Sequence, residues 1–343
     1  MKIVAALSGG VDSTVAAALA LKEGAEVIGA TLAMKHPDPA FSAAQRCAGQ
    51  ADLDAVKAVA DKLGIEHVVL DRFPQFRDSV LRPAAETYMQ GRTPNPCCVC
   101  NAEVKFAALL DFARSIGADK VITGHYAQIG ADLRLRRGVD PVKDQTYFLY
   151  RLTPEMLKNI DFPVGGMPKF EVRRLAAELD MPTAERPDSQ DACFMAEGET
   201  FGETLRRLFD LPARPGAFFY RGKKVGNHPG IHHYTLGQRK GLRVALGQRG
   251  YVSQIRQDGN IELETDEACL FSRGFTLQDI CGELPEQGMV QIRYRSKPVL
   301  ARVSGNTVTT AEPQRAVTPG QSAVFYDGDI LLGGGVIYDL HAV

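Results

Sequence analysis

Residues 3–13 read IVAALSGGVDS, an apolar run followed by a glycine-rich turn. The run predicts a buried strand, and the alanine-rich residues 14–22 predict a helix. A strand, a turn and a helix N-terminus in this order favour phosphate binding, because backbone N–H groups and the helix dipole point at one spot. Gly9 and Gly10 allow close approach, and the Ser8 and Ser13 hydroxyls add donors. We expect the chemistry to be located at this turn.

The sequence around this turn alternates between strand and helix patterns. Predicted strands cover residues 2–7, 26–32, 66–70 and 120–123, and predicted helices cover residues 14–22, 51–63, 75–89 and 102–116. This alternation indicates an α/β domain with a parallel sheet covered on both faces. Ligands of such sheets bind at the carboxyl ends of the strands, where residues 8–13 lie.

Near residue 214 the sequence pattern changes to that of short strands separated by glycine and proline. Predicted strands there cover residues 218–221, 251–255, 260–264, 289–294, 299–303, 307–310, 322–326 and 330–338. We therefore predict an N-terminal α/β domain over residues 1–203, a basic β-rich domain over 204–268 and a C-terminal β-barrel domain over 269–343.

Length and composition are those of a globular protein. A chain of 343 residues suggests two or three domains, and 45% hydrophobic with 24% charged residues is ordinary. The sequence shows no apolar stretch of membrane-spanning length and no signal-peptide pattern at Met1. We expect a cytoplasmic protein with no membrane partner.

Charge is unevenly distributed along the chain. The net charge is −1, but residues 203–256 contain eleven Lys or Arg against two acidic residues, a local net of +9. Such a field attracts polyanions, of which nucleic acid is the commonest large one. We expect this segment to bind RNA.

Four of the seven cysteines lie in two polar loops. Cys97, Cys98 and Cys100 precede a predicted helix, and Cys193 lies in a later loop. A thiol near a helix N-terminus has a lowered pKa, so we expect Cys100 to be a thiolate near neutral pH. Two functional interpretations stay open: a catalytic dithiol of Cys100 and Cys193, or a [4Fe-4S] cluster held by Cys97, Cys100 and Cys193. Cys47, Cys269 and Cys281 are expected to fill core.

The turn at residues 8–13 lacks the lysine of a Walker A loop. It resembles the PP-loop of the ATP pyrophosphatase superfamily, whose members adenylate an oxygen and release pyrophosphate. The resemblance implies an adenine nucleotide alpha hydrolase-like fold.

A closer resemblance extends over most of the chain. Matching segments are residues 8–13, 91–106, 124–127, 143–149, 188–194, 234–241 and 312–323. In these the chain resembles tRNA-specific 2-thiouridylases, which replace oxygen by sulfur at C2 of the wobble uridine. By this resemblance Cys100 is the first catalytic cysteine and Cys193 carries a persulfide. One departure is Cys97, which stands where well-known members have aspartate; it removes a candidate base and adds a third soft ligand.

The resemblance also implies ligands and partners. ATP is expected to contact Ala6, Leu7, Ser8, Gly9, Gly10, Val11, Asp12, Ser13, Met34 and Gly124, with Asp12 holding Mg²⁺. The anticodon arm of tRNA is expected to contact Lys143, Asp144, Gln145, Arg206, Arg207, Arg239 and Lys240. Gln145 and Tyr147 are candidates for holding a flipped-out base. The implied acceptors are lysine, glutamate and glutamine tRNAs, and the implied sulfur donor is a cysteine desulfurase or a sulfur carrier.

These expectations give a reaction in two parts. The uridine O2 attacks the α-phosphorus of ATP, and a persulfide on Cys193 then delivers sulfur, leaving a Cys100–Cys193 disulfide. The cluster version instead uses free sulfide at an open iron. More remote alternatives are another PP-loop synthetase, which needs no loop cysteines, and a non-enzymatic RNA-binding protein, which needs no intact loop.

Overall fold

The computed structural model describes residues 1–36, 50–188, 193–195 and 198–341. Cys47 and residues 189–192 of the predicted Cys193 loop lie outside the described residues. The chain forms two compact units, each built from separate stretches. The first comprises Met1–Ser79, Cys97–Glu197 and Asp327–Leu332, and the second comprises Val80–Pro96, Gly198–Tyr326 and Gly333–Val343.

The regular elements are numbered in chain order. The α-helices are α1 Val11–Lys22, α2 Gln50–Leu63, α3 Phe73–Phe76, α4 Arg82–Met89, α5 Pro96–Cys100, α6 Ala107–Ser115, α7 Pro154–Leu157, α8 Lys169–Glu178 and α9 Phe201–Leu208. The strands are β1 Lys2–Ala6, β2 Glu26–Ala33, β3 Glu66–Asp71, β4 Lys120–Ile122, β5 Ala127–Ile129, β6 Leu135–Arg137, β7 Ile160–Asp161, β8 Gly216–Tyr220, β9 Lys223–His228, β10 Tyr251–Ile255, β11 Ile261–Glu264, β12 Phe271–Gly282, β13 Gln287–Gln291, β14 Val299–Ser304, β15 Thr307–Arg315, β16 Ser322–Asp327 and β17 Ile330–His341. Two π-helical segments cover Arg77–Leu81 and Asn101–Phe106.

A five-stranded parallel sheet forms the centre of the first unit, in the order β3-β2-β1-β4-β7. On β1, Ile3 and Ala5 join an apolar cluster with α1 and with Val56 and Val59 of α2. Val4 points to the opposite face and is fully buried. Both faces of β1 are therefore covered, which confirms the predicted α/β class.

The carboxyl ends of three neighbouring strands place the predicted nucleotide residues at one edge. The turn at residues 7–10 follows β1, Met34 follows β2, and Gly124 follows β4 by two residues. Because parallel strands all end at the same edge, residues far apart in sequence meet there.

One predicted boundary is wrong in a way that matters for the cysteines. The helix predicted over residues 102–116 begins at Pro96 and continues through the π segment into α6. Proline is well suited to a first helical position, since its missing N–H has no intrahelical partner there. Cys97, Cys98 and Cys100 are thus helical residues and not loop residues.

The second unit contains two β structures. One is a four-stranded sheet, β10-β11-β8-β9, and the other is a barrel in the order β12-β15-β14-β13-β16-β17, closed by pairing of β17 with β12. Strands β9 and β12 were not predicted, because Arg273, Gly274 and Gln278 interrupt the apolar pattern of β12. The β-rich modules expected after the α/β domain are confirmed.

The two units do not follow the predicted domain limits, since the second unit resumes at Gly198 and Asp327–Leu332 belong to the first. Residues Val80–Pro96, predicted within the 1–203 domain, belong to the second unit. There Tyr88 of α4 packs on Phe201 of α9 with ring centroids 5.3 Å apart. The predicted boundary at residue 268, between the basic domain and the C-terminal β-barrel domain, stays a prediction. Within the described ranges no helix is long and apolar enough to cross a bilayer.

Candidate active site

The turn after β1 has the features of an anion site. Gly9 takes φ +77, a conformation that favours glycine. Helix α1 begins at Val11, and the residue at its N-cap, Gly10, has no side chain that could accept from the first N–H groups of the helix. The first N–H groups of α1 are therefore available to a ligand. The Ser13 hydroxyl was expected to donate to phosphate, but it donates to the Gly10 carbonyl at 3.0 Å and accepts from Ser8 N at 3.2 Å. It closes the turn, and its Oγ also lies 3.2 Å from the Oγ of exposed Ser8, so the two hydroxyls are hydrogen-bonded to each other.

Gly124 supports this turn from β4. A Cβ at Gly124 would lie 2.5 Å from Ser13 N and 2.6 Å from the Asp12 carbonyl carbon. Real Cβ atoms do not come so close to backbone, so only glycine fits this position. Its observed role is contact with the helix start; contact with nucleotide remains a prediction, as it does for half-buried Met34.

Lys169, which the sequence reading missed, bridges two carboxylates at the turn. Its Nζ lies 2.6 Å from Asp12 Oδ1 and 2.9 Å from Asp188 Oδ1. The Tyr126 hydroxyl also donates to Asp12 Oδ1, at 2.7 Å. Lys169 stands 157 residues from Asp12 in sequence, and the motif of neither segment pointed to it.

The segment that leads to Cys193 is hydrogen-bonded to the same turn. Arg186 donates to the Gly9 carbonyl at 2.8 Å, and Lys143 and Arg173 each reach Asp188 at 2.7 Å. Burial raises the pKa of Asp188, but hydrogen bonds from Lys143 and Lys169 outweigh it and lower that pKa to about 2. Five residues span at most about 18 Å, so Cys193 lies within that reach of Asp188.

The residues at the turn fit a magnesium ion beside phosphate. Mg²⁺ is usually held by one or two carboxylates together with phosphate oxygens and water. Asp12 and Asp188 each lie within 3 Å of the Lys169 ammonium, so two carboxylates already converge around one cation. Asp12 Oδ1 would have to exchange this ammonium for the metal.

Cys100 does not match the expectation of a thiolate. Burial raises the pKa of Cys100 to about 12, against the lowering effect of Lys105. Burial also raises the pKa of Cys97, to about 11, and here the charge of Cys193 adds to the rise. The expected thiolate at Cys100 is wrong, because the helix start lies at Pro96 and the thiol is 4% exposed. Burial outweighs the helix dipole.

Lys105 is a second residue that the sequence reading missed. It follows Cys100 by five residues, and Asn101–Phe106 is a π-helical segment, in which residues i and i+5 lie above one another. Its charge lowers the pKa of both helical thiols and of His125. Burial is the larger cause at His125, whose pKa falls to about 3, so this imidazole is neutral.

Cys193 and Cys98 have different environments. Cys193 is half-buried, and its neighbour Phe194 is buried with its ring 6.4 Å from that of Phe76. Cys98 is buried and its Sγ donates to the Tyr147 carbonyl, so it serves packing. The charge of Cys193 also raises the pKa of both Cys97 and Cys100, so the three predicted thiols influence one another electrostatically.

The three thiols do not form a recognisable metal site. Among the residues that the structure describes, no three His, Cys, Asp or Glu side chains are grouped so as to hold a metal ion. The cluster of Cys97, Cys100 and Cys193 stays a prediction that this arrangement does not support.

The three residues predicted for RNA contact in the first unit are engaged within it. Asp144 is 8% exposed, and its carboxylate pairs with Arg137 at 2.7 Å and accepts from Thr146. The Asp144 carboxylate thus has structural partners, and its contact with RNA stays a prediction. Gln145 accepts from Tyr126 N at 3.0 Å, and Lys143 is paired with Asp188. Tyr147 is 1% exposed and is not available to stack on a base.

The basic segment divides into partnered and exposed cations. Arg207 pairs with Glu199 at 2.8 Å, and Arg206 donates to the Leu211 carbonyl at 3.2 Å. Arg239 and Lys240 are exposed. Further exposed cations lie on the same segment, namely Arg221, Lys223, Lys224, Arg243 and Arg249. The exposed members are the ones suited to phosphate contact.

Three family models match successive parts of the chain. The model described as tRNA methyl transferase HUP domain matches residues 1–197. The tRNA methyl transferase PRC-barrel domain matches residues 210–262, and the aminomethyltransferase beta-barrel domain matches residues 277–337.

Curated relatives match nearly end to end. The chain is 42% identical to the tRNA-specific 2-thiouridylase MnmA of Acetivibrio thermocellus, covering 98% of this chain and 99% of the relative. It is 44% identical to the protein of that name from Thermus thermophilus, covering 98% and 94%. Among solved structures, a 4-thiouridine synthetase–RNA complex with bound ATP is 18% identical, covers 61% of this chain and 50% of that one, and has a TM-score of 0.39.

Proposed function

The chain belongs to the family of tRNA-specific 2-thiouridylases, and we propose that it uses ATP to thiolate C2 of the wobble uridine through an adenylated intermediate. The observation that carries this proposal is the connection between the two halves of the site. Arg186 and Lys169 join the turn at residues 8–13 to the segment that leads to Cys193. A phosphate site and a thiol on one scaffold suit activation followed by sulfur transfer.

Activation is proposed at the turn. The C2 carbonyl of uridine is a poor electrophile, so its oxygen must become a good leaving group. ATP phosphates would lie against the first N–H groups of α1, with the Ser8 hydroxyl as a further donor. The uridine O2 attacks the α-phosphorus and pyrophosphate leaves. Asp12 would hold Mg²⁺, which neutralises phosphate charge when bound.

Sulfur transfer is proposed at Cys193. Its half-exposed position suits loading by a donor, while Cys100 is buried. The terminal sulfur of a Cys193 persulfide attacks C2, and AMP departs with the original O2. Cys100 then attacks Cys193 Sγ, which breaks the persulfide S–S bond, leaves the thiocarbonyl on the base and forms a Cys100–Cys193 disulfide. An external dithiol restores both thiols.

The proposed RNA contacts are the exposed cations of the basic segment, above all Arg239 and Lys240. They would neutralise backbone phosphates and so position the anticodon arm without reading its sequence. Arg206, Arg207 and Lys143 remain secondary candidates because each already has a protein partner. A cysteine desulfurase or a sulfur carrier is proposed as the donor, and lysine, glutamate and glutamine tRNAs as acceptors.

Formation of 2-thiouridine tests this function. The protein is incubated with ATP, Mg²⁺, a cysteine desulfurase with cysteine, a dithiol and unmodified glutamate tRNA, and nucleosides are analysed by mass spectrometry. We expect ATP-dependent 2-thiouridine from the wild type and a loss of at least about a hundredfold in Cys193→Ser and in Cys100→Ser. Cys98→Ala is the matched control and keeps activity, since that thiol serves packing. Wild-type activity in Cys193→Ser would falsify the persulfide route.

A further inference from the structure

Lys169 is a lysine whose charged end is almost buried. Its side chain is 11% exposed, and its Nζ lies 2.6 Å from Asp12 Oδ1 and 2.9 Å from Asp188 Oδ1. An ammonium group is costly to bury unless carboxylates pair with it. Here the two carboxylates come from α1 and from the segment that leads to Cys193. One point in the first unit therefore provides two ligands for a single cation.

The position of Lys169 in its helix does not explain this ammonium. Lys169 is the first residue of α8, and the helix dipole favours negative charge at that end. The backbone there is capped by Asp140, whose Oδ2 accepts from Lys169 N at 3.0 Å. A neutral side chain would serve the start of the helix at least as well. The ammonium is therefore placed for its two carboxylate partners.

Both carboxylates can release the ammonium without losing all their partners. Asp188 also pairs with Lys143 and Arg173, each at 2.7 Å. Asp12 also accepts from the Tyr126 hydroxyl, and a metal ion would replace the positive charge that it gives up. Removing one partner of a buried ion pair is costly because it leaves an uncompensated charge. Exchange of the ammonium for a metal avoids that cost, since a cation lies beside Asp12 before and after it.

We propose that Lys169 is a positioning residue that holds the place of the metal ion until Mg²⁺ arrives with ATP. The inference rests on the proposed function, which supplies both. Before they bind, the ammonium keeps Asp12 and Asp188 together and so joins the turn at residues 8–13 to the segment that leads to Cys193. When they bind, Asp12 passes from the ammonium to the metal. Because the ammonium lies between the carboxylates, the protein without nucleotide attracts free metal only weakly.

Binding of Mn²⁺ to the full-length protein without nucleotide, followed by electron paramagnetic resonance, tests the proposal. Mn²⁺ prefers the same oxygen ligands as Mg²⁺. Lys169→Met leaves the two carboxylates without the ammonium between them, so we expect it to bind Mn²⁺ at least roughly tenfold more tightly than the wild type. Adding Asp188→Asn to Lys169→Met should abolish this gain. Lys158→Met, which breaks an exposed pair with Glu155 at 2.7 Å, is the matched control and should bind Mn²⁺ like the wild type.

Hydrogen exchange of the backbone amides in residues 181–188 provides a second readout, since it reports local opening of this stretch. Without metal, these amides should exchange faster in Lys169→Met than in the wild type. Mn²⁺ should restore the wild-type rate, because the metal joins the same two carboxylates. A lysine that served packing alone would not be replaced by a metal ion. Lys158→Met should exchange like the wild type with and without Mn²⁺.

Three results would overturn the proposal: equal Mn²⁺ affinity in the wild type and Lys169→Met, a gain that persists with Asp188→Asn, or faster exchange that Mn²⁺ does not reverse. Lys169→Gln keeps the test decisive if Lys169→Met does not fold, since its neutral amide also leaves no cation between the carboxylates. Both measurements need no turnover, so they decide this inference alone. The proposed function fails separately, if the wild type forms no 2-thiouridine.

Discussion

Lys105 is the cation that acts on both helical thiols, and the reactivity of Cys100 depends on it. The thiolate is the reactive form, and burial keeps the pKa of Cys100 at about 12 even with Lys105 nearby. Alkylation of Cys100 by iodoacetamide, followed by peptide mass spectrometry, should therefore speed up about tenfold per pH unit between pH 7 and 9, with no plateau.

Lys105→Met removes the charge that lowers this pKa, so the thiolate fraction should shrink. We expect alkylation of Cys100 at pH 9 to slow by roughly tenfold for each unit by which the pKa rises. Lys57→Met, at an exposed position on α2, provides the control. Equal rates in the wild type and Lys105→Met would contradict the electrostatic role.

At the scale of single residues, the sequence indicated which types of residue lie together in a motif, but not the burial or the partners of each side chain. The placement of Ser8, Gly9 and Asp12 between β1 and the first turn of α1 could be predicted because their motif is contiguous. Lys169 could not, because its partners Asp12 and Asp188 become neighbours only when α8 packs beside α1. The burial of Asp144 and its ion pair with Arg137 could not be predicted either, because both are tertiary properties.

At the scale of elements, Gly124 just after β4 contacts the start of α1 and so supports the turn at residues 8–13, called the nucleotide turn below. Gly124→Ala would drive a methyl group into the Ser13 N and Asp12 backbone, which are not flexible side-chain ends. We expect a loss of about 1–3 kcal/mol in the free energy of unfolding. We also expect weakened ATP binding, since the first turn of α1 must shift.

Urea denaturation and calorimetric titration with ATP measure these two effects. Gly166→Ala is the matched control, because a Cβ at Gly166 meets no atom within 4 Å. ATP affinity equal to that of the wild type in Gly124→Ala would show that the turn does not depend on this contact.

The elements themselves were predictable where the pattern was strong. The apolar runs gave β1, β2 and β3 to within a residue or two, and the antiparallel β10 was predicted with its observed limits. The start of α5 was missed because Pro94 and Pro96 suggest a turn, whereas Pro96 is the first helical residue. The β12 strand was missed because its two pairing partners, β15 and β17, compensate for a polar sequence.

At the scale of the whole molecule, the proposed steps are divided between the units. The nucleotide turn and the three thiols belong to the first unit, and the +9 segment belongs to the second. The sequence could predict that both parts exist, since each has a local signature. The inclusion of Val80–Pro96 in the second unit could not be predicted, because it depends on packing such as that of Tyr88 on Phe201.

The central claim is that the uridine O2 is adenylated before sulfur replaces it. The most direct measurement uses tRNA carrying ¹⁸O at C2 of the wobble uridine, in a reaction with unlabelled ATP in unlabelled water. Mass spectrometry of the released AMP then locates the oxygen. We predict one ¹⁸O atom in the phosphate of AMP for each 2-thiouridine formed, because the oxygen leaves bonded to the α-phosphorus. Unlabelled AMP formed together with 2-thiouridine would contradict the account.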